Sequence, residues 1–280
     1  MAKSTRRSSA PSWGRMSDED LLSLRFCDLD IRIEGTWLEE MVDRLHWELE
    51  EKGLRVRPHC WLSTEWFSPD GVPGIAIPFY LAHPRLMNLE QRQMYEVEGG
   101  ARRSCMRILR HEAGHAIDSA YRLRRKRRWK SVFGRASVPY PDSYRTHPHS
   151  REFVLHLGWW YAQSHPVEDF SETFAVWLKP GSRWRSHYKD WPALKKLEFV
   201  DELMGDLAGA TPPVRSKEQA DPLSKVRRTL RTHYRQKRKR YGVDLPDVYA
   251  RHLKQLFQTG GRRETAYSFL FRVKGDLRDL

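Results

Sequence analysis

No Cys-x-x-Cys pair occurs in the 280 residues, and the three cysteines, Cys27, Cys60 and Cys105, are odd in number and widely spaced. This argues against a disulfide framework and a thiolate zinc knuckle, and it fits a reducing cytoplasm. No apolar run approaches the ~20 residues that span a bilayer, so no membrane partner is expected. The N-terminus carries Lys3, Arg6 and Arg7 but no apolar stretch after them, so export is not expected either. Internal repeats and long low-complexity tracts are also missing, and nothing marks a repeat array or extended disorder. What is present is enough apolar mass for one large domain or two small ones: 39% hydrophobic residues, 12% aromatic, eleven tryptophans.

Charge is unevenly spread. The formal net charge is +14, yet acids outnumber bases from Asp18 to Lys52. The positive excess sits in the N-terminal tail, around Arg122 to Lys130, and between Lys225 and Arg240. Residues 124–128 and 225–240 read either as solvated helix faces or as a surface for nucleic acid or an acidic partner.

Along the chain, residues 1–16 read as a flexible basic tail, and Ser17 with Asp18, Glu19 and Asp20 supplies helix-start chemistry. Thr36 and Glu39 form a capping box, followed by Leu38, Met41, Val42, Leu45 and Leu49 at helical spacing until Gly53. From Pro58 to Pro84 the texture is aromatic and β-branched, predicting strands at Cys60-Trp61-Leu62, at Trp66-Phe67 and from Ile75 to Leu81. Pro78 marks the last as an edge strand, and an exposed edge is where a peptide can add as a further strand. Helix is expected from about Leu89 to Leu123, from Pro166 to Leu178 and from Pro192 to Leu207, with a loop from Trp129 to Ser150 bordering whatever site the helices carry. Residues 209–221 read as a linker. Beyond it, Leu223, Val226, Leu230 and Tyr234 predict a basic helix, and Leu253, Leu256 and Phe257 a short further one, within a 222–280 helical extension.

Residues 111–115 read His-Glu-Ala-Gly-His. Histidines four apart on a helix point the same way, and with a glutamate beside them they make the zinc-binding half of a metallohydrolase site. They fall on the border of an apolar stripe formed by Cys105, Ile108, Leu109, Ala113, Ala116 and Ile117. Gly114 between them costs a helix ~1 kcal/mol against alanine, which predicts close backbone approach by a neighbouring strand or loop. A catalytic zinc needs a third protein ligand. Glu168 and Glu172, four apart on the Pro166–Leu178 helix, are the best source: one ligates while the other accepts the second ring proton of a ligand histidine. Asp118 is either a further hydrogen-bonding partner near His115 or a plain surface residue. The pairs His147/His149 and His59/Cys60 are weaker candidates, read as loop residues near the cleft and as incidental.

His111-Glu112-x-x-His115 followed by Glu168-x-x-x-Glu172 resembles the gluzincin group of zinc metallopeptidases. The stretch from about Trp61 to Met204 resembles a family of bacterial zinc-binding metallopeptidases, through Trp66 to Gly71, His111 to Asp118 and Tyr161 to Glu172. The resemblance implies that Glu168 is the third ligand and Glu172 its outer partner. Similarity to the toxin lethal factors further implies that Tyr161, seven residues before Glu168, donates to the developing oxyanion. The alternative for Tyr161 is packing with Trp159 and Trp160.

The expectation is an α+β, zincin-like domain over residues 17–208: a small mixed sheet with an edge strand packed on the helix of residues 111–115, followed by a mainly helical C-terminal part. It would bind one Zn2+ per chain and hydrolyse a peptide or protein substrate through a metal-activated water, with Glu112 as the base. The competing readings are a nucleic-acid-associated basic protein, including a protease acting on DNA-bound proteins, and a non-catalytic metal-binding scaffold.

Overall fold

The computed structural model describes residues 11–141 and 144–241. The chain divides into two compact units, residues 1–230 and 231–280. The first is α+β, dominated by helices, with a two-stranded parallel sheet. The end of the expected tail is structured: a 3-10 turn at Ser12–Arg15 buries Trp13, whose indole N–H donates to the Leu29 carbonyl at 2.8 Å. Ser17 caps helix α1 (Asp18–Ser23) by accepting from the Asp20 N–H. Helix α2 (Trp37–Glu51) begins at Thr36 as expected, but the Glu39 carboxylate takes the Gly35 N–H at 2.7 Å rather than that of Thr36. The Thr36 N–H already donates to the Ile33 carbonyl, which shifts the reciprocal half of the capping box by one residue.

Strands β1 (His59–Ser63) and β2 (Gly74–Pro78) run parallel, in register from His59 opposite Gly74 to Ser63 opposite Pro78. Trp66-Phe67, expected as a strand, contributes a single antiparallel bridge from Phe67 to Ala76. β2 is an edge strand of the two-stranded sheet, but the bridge limits how exposed that edge is. β2 is buried along its whole length, with β1 on one side and Phe67 bridged to Ala76 on the other, so its edge is covered by packing at that residue. Proline has no N–H to extend the ladder, and the strand stops at Pro78, giving way to a 3-10 turn at Phe79–Ala82.

The single helix expected from 89 to 123 is two, α3 (Pro84–Met94) and α4 (Arg102–Tyr121). Tyr95 in the left-handed region (φ 61°) and Gly99 (φ 75°) turn the chain between them. A Cβ at Gly99 would stand 3.1 Å from the Trp66 ring, so the break is fixed by packing. Part of the expected loop is helix α5 (Arg127–Phe133), which buries Trp129 and Phe133 beside Phe170. Helices α6 (Pro166–Leu178) and α8 (Ala193–Leu207) match the sequence reading, with the short α7 (Trp184–His187) between them.

Residues 209–221 run along the first unit instead of crossing open space. The Gly209 N–H donates to the Gly53 carbonyl, the Val214 N–H to Ala120, the Trp61 indole to Ala220 and the Ser63 hydroxyl to Asp221. The continuous helix expected after Pro222 is interrupted. A 3-10 turn at Leu223–Lys225 precedes α9 (Leu230–Arg240), because the carbonyls of Val226 and Arg228 accept from Cys27 and Phe26 and the Leu230 N–H donates to Leu24. The helix expected around Leu253 to Phe257, like residues 1–10 of the tail, lies outside the described residues. No helix among the described residues is long and apolar enough to cross a membrane. Cys27, Cys60 and Cys105 are free thiols.

Candidate metal centre

Two helices build the site, and one glycine sets their separation. A Cβ on Gly114 of α4 would stand 2.7 Å from the Ser171 Cα of α6, so the close approach expected at this glycine is to a helix, not to a strand or loop. Cys105, Leu109, Ala113, Ala116 and Ile117 on α4 are fully buried and fix the rotation of that helix. His111 and His115 therefore face α6. On α6, every residue from Val167 to Leu178 is buried. Pro166 occupies its first turn, where a missing N–H costs nothing, and the His165 Nδ1 caps it by accepting from the Val167 N–H. Glu168 in that first turn also meets the positive end of the helix dipole.

His111 Nε2, His115 Nε2 and Glu168 Oε2 form a nearly equilateral triangle: 3.1 Å between the histidines, 3.1 Å from His111 to the carboxylate and 3.2 Å from His115 to it. A tetrahedral zinc with bonds of about 2.0–2.1 Å places its ligand atoms roughly 3.4 Å apart, so the triangle is close to one face of that tetrahedron. The opposite nitrogen of His111, Nδ1, donates to Glu172 Oε1 at 2.8 Å, which leaves the Nε2 lone pair directed at the triangle. Glu172 is itself held, its second oxygen accepting the Leu157 N–H at 2.8 Å.

The electrostatics call for a cation. Burial disfavours charge on His111, but the Glu168 and Glu172 carboxylates outweigh it and raise the imidazole well above its ordinary value. Burial alone would likewise raise Glu168, yet the His115 and His111 imidazoles hold its carboxyl well below the usual carboxylate range. A positive charge at the triangle satisfies all three groups, and a divalent ion displaces the proton that otherwise serves. The donor set, two imidazoles and a carboxylate, suits zinc.

Around the triangle, Glu112 is buried and its Oε2 has no hydrogen-bond partner in the described structure. Its backbone carbonyl accepts from the Ser68 hydroxyl at 3.0 Å, which ties the Trp66–Gly71 turn to α4. The Tyr161 ring centroid lies 5.6 Å from that of His111. Burial, then the charges of Glu168, Glu112 and Glu172, push its phenol up, so the hydroxyl keeps its proton. Packing with Trp159 and Trp160 as core is not what is seen: Trp159 is 67% exposed, and both tryptophans adopt left-handed backbone (φ 62° and 51°) just before Tyr161.

Asp118 is fully buried rather than on the surface, and its oxygens go to Arg124, accepting from the backbone N–H at 2.7 Å and from the guanidinium. Arg124 also reaches Asp70 at 2.7 Å, and Arg128 pairs with Glu202. Two cations of the 124–128 cluster are thus engaged within the fold. His147 and His149 are exposed, and His59 Nε2 donates to the Glu218 carbonyl, all apart from the triangle.

Tyr140 and His165 were not singled out in the sequence. The Tyr140 hydroxyl donates to Glu168 Oε1 at 2.6 Å, while its ring stacks on His165 with centroids 3.8 Å apart. His165 Nε2 in turn donates to the Val138 carbonyl. Burial and the charge of Glu168 raise the Tyr140 phenol, so it too remains a donor. Only the prolines flanking Tyr140, in a stretch expected to border the site, hinted at a fixed loop.

Comparison with known proteins gives one family match. Residues 87–182 match a family model described as "Putative zinc-binding metallo-peptidase". That span contains both helices of the triangle together with Glu112, Tyr140, Tyr161 and Glu172. No curated protein and no solved structure matches the chain.

Proposed function

From the premise that residues 87–182 match a zinc-binding metallopeptidase family, we propose that the chain is a zinc-dependent peptidase of gluzincin, zincin-like type. His111, His115 and Glu168 are the ligands of one Zn2+, Glu172 orients His111, and the substrate is a peptide or protein. The observation that carries this reading is the triangle of three donor atoms backed by the hydrogen bond from His111 to Glu172. Bound zinc would supply Lewis acidity toward a water and the scissile carbonyl. Glu112 has a free, buried carboxylate oxygen beside the triangle and accepts the proton of the attacking water, then returns it to the leaving amine. Tyr161, kept protonated by burial and by the carboxylates around it, donates to the oxygen on which negative charge develops. Tyr140 holds Glu168 from the open side and restrains its orientation. Because Phe67 covers the outer side of β2 at Ala76, substrate pairing with that strand is not part of this reading.

The test combines metal analysis with hydrolysis of a mixed peptide substrate. The expected result is one zinc per chain and cleavage abolished by a chelator. Glu112→Gln should keep the zinc and lose about 10²–10⁴-fold in rate. Normal cleavage by that variant would remove Glu112 from the mechanism, and a zinc-free protein that still cleaves would remove the whole reading.

A further inference from the structure

A cavity of about 610 Å³ lies apart from the metal triangle, between α2 and the first half of α4. Its lining includes Arg44, Arg102, Arg103, Arg107, Arg110 and Lys179. Two carboxylates pair with Arg44, Arg102 and Arg110, and Arg107 has a partner of its own. Glu48 binds Arg110 through two bonds of 2.6 and 2.7 Å and Arg44 at 3.1 Å, and Glu40 takes Arg102 at 2.5 Å. Among the described residues, no carboxylate lies within ion-pair distance of Arg103 or Lys179. Arg102 and Arg103 also stand in the first turn of a 20-residue helix with no acidic residue in that turn, so the positive end of the dipole adds to the charge. Like charges gathered this closely repel unless an anion joins them.

The rest of the lining narrows the anion. Met41, Met106 and Leu155 give an apolar patch beside the cations, and Leu155 is 47% exposed. The volume falls within the roughly 300–1,000 Å³ of small-molecule sites. Guanidinium forks match phosphate oxygens two at a time. We propose that this cavity binds a small organic phosphate with two or more adjacent phosphoryl groups, its apolar part resting on Met41, Met106 and Leu155. The site stands independently of the peptidase reading. It is nevertheless joined to the triangle: His156, also in the lining, donates through Nε2 to the Arg107 carbonyl, and the next residue, Leu157, holds Glu172.

The experiment is calorimetric titration of the full chain with ATP, inorganic pyrophosphate, a short single-stranded oligonucleotide and a polyglutamate peptide, repeated on Arg103→Ala/Lys179→Ala. Both positions are exposed, so the double variant folds. ATP and pyrophosphate should bind at one site per chain and weaken about tenfold or more in the variant, whose zinc content should be unchanged. Three results would overturn the proposal. These are no heat with either phosphate compound, phosphate binding that the double variant leaves intact (as for capture at the metal triangle), or binding of the oligonucleotide or polyglutamate that ATP does not displace.

Discussion

Helix α4 carries two faces of opposite electrostatic character within twenty residues. On one, His111 and His115 meet Glu168 and Glu172 of α6, so carboxylates prevail and a cation is needed. On the other, Arg102 pairs with Glu40 and Arg110 with Glu48 of α2, while among the described residues no carboxylate lies within ion-pair distance of Arg103, so cations prevail and an anion is needed. The faces differ in depth as well: the triangle is buried against another helix, whereas Arg102 and Arg103 are exposed. Periodicity alone separates the faces, but what each lacks is visible only when the helices packed on it are known.

Breaking the cationic face at its buried pair should have the largest effect on stability. Glu48→Ala strands Arg110, which is nearly inaccessible, and should cost about 3–5 kcal/mol in chemical denaturation. A loss under 1 kcal/mol would mean that water reaches Arg110. On the other face, Glu172→Gln keeps the shape but no longer takes the His111 proton as a carboxylate does. Zinc affinity should fall about 10–100-fold in a competition titration with a chromogenic chelator. Unchanged affinity would show that the pair does not tune the metal.

The spacing between the helices can be tested through Gly114→Ala. The change gains ~1 kcal/mol of helix propensity, but its Cβ meets backbone at Ser171, so a net loss of about 1–2 kcal/mol and weaker zinc binding are expected. A more stable variant would show that α6 can retreat.

The smallest effect concerns His156, which borders both faces. Burial pushes this imidazole down to about 4 from its ordinary value of 6.5. A depressed value means the fold favours the neutral ring. Its contribution is therefore complete above the unfolded value and is lost as pH falls from 6.5 toward 4. Between pH 7 and about 5.5 the wild type should lose ~1 kcal/mol more than His156→Gln. Parallel stability curves would show that His156 is solvated.

The candidate metal site was legible because its signals are local. A period of four puts His111 with His115 and Glu168 with Glu172, whatever the helices pack on, and Ser17, Thr36 and Pro166 mark helix starts through capping chemistry confined to a few residues. Signals that depended on long-range partners were misread. Residues 226–229 follow a helical apolar spacing, but the carbonyls of Val226 and Arg228 accept from the N–H groups of Cys27 and Phe26. Trp66-Phe67 has strand composition, yet it supplies one bridge and then turns across α4. Tyr140 has no spacing relation to Glu168, and nothing short of the folded loop brings them together.

The sequence by itself therefore determined that residues 111–115 and 166–178 are helical, the faces on which the histidines and glutamates lie, and the chemistry those side chains offer, because helical periodicity and capping act within one or two turns. Tertiary structure decided which carboxylate joins the triangle and which backs His111, that Phe67 bridges to Ala76 on the outer side of β2, that Tyr140 reaches Glu168, and that a cluster of arginines lines a cavity. Each of these depends on distances between segments far apart in the chain, set by packing at contacts such as Gly114 on Ser171 that no local pattern encodes.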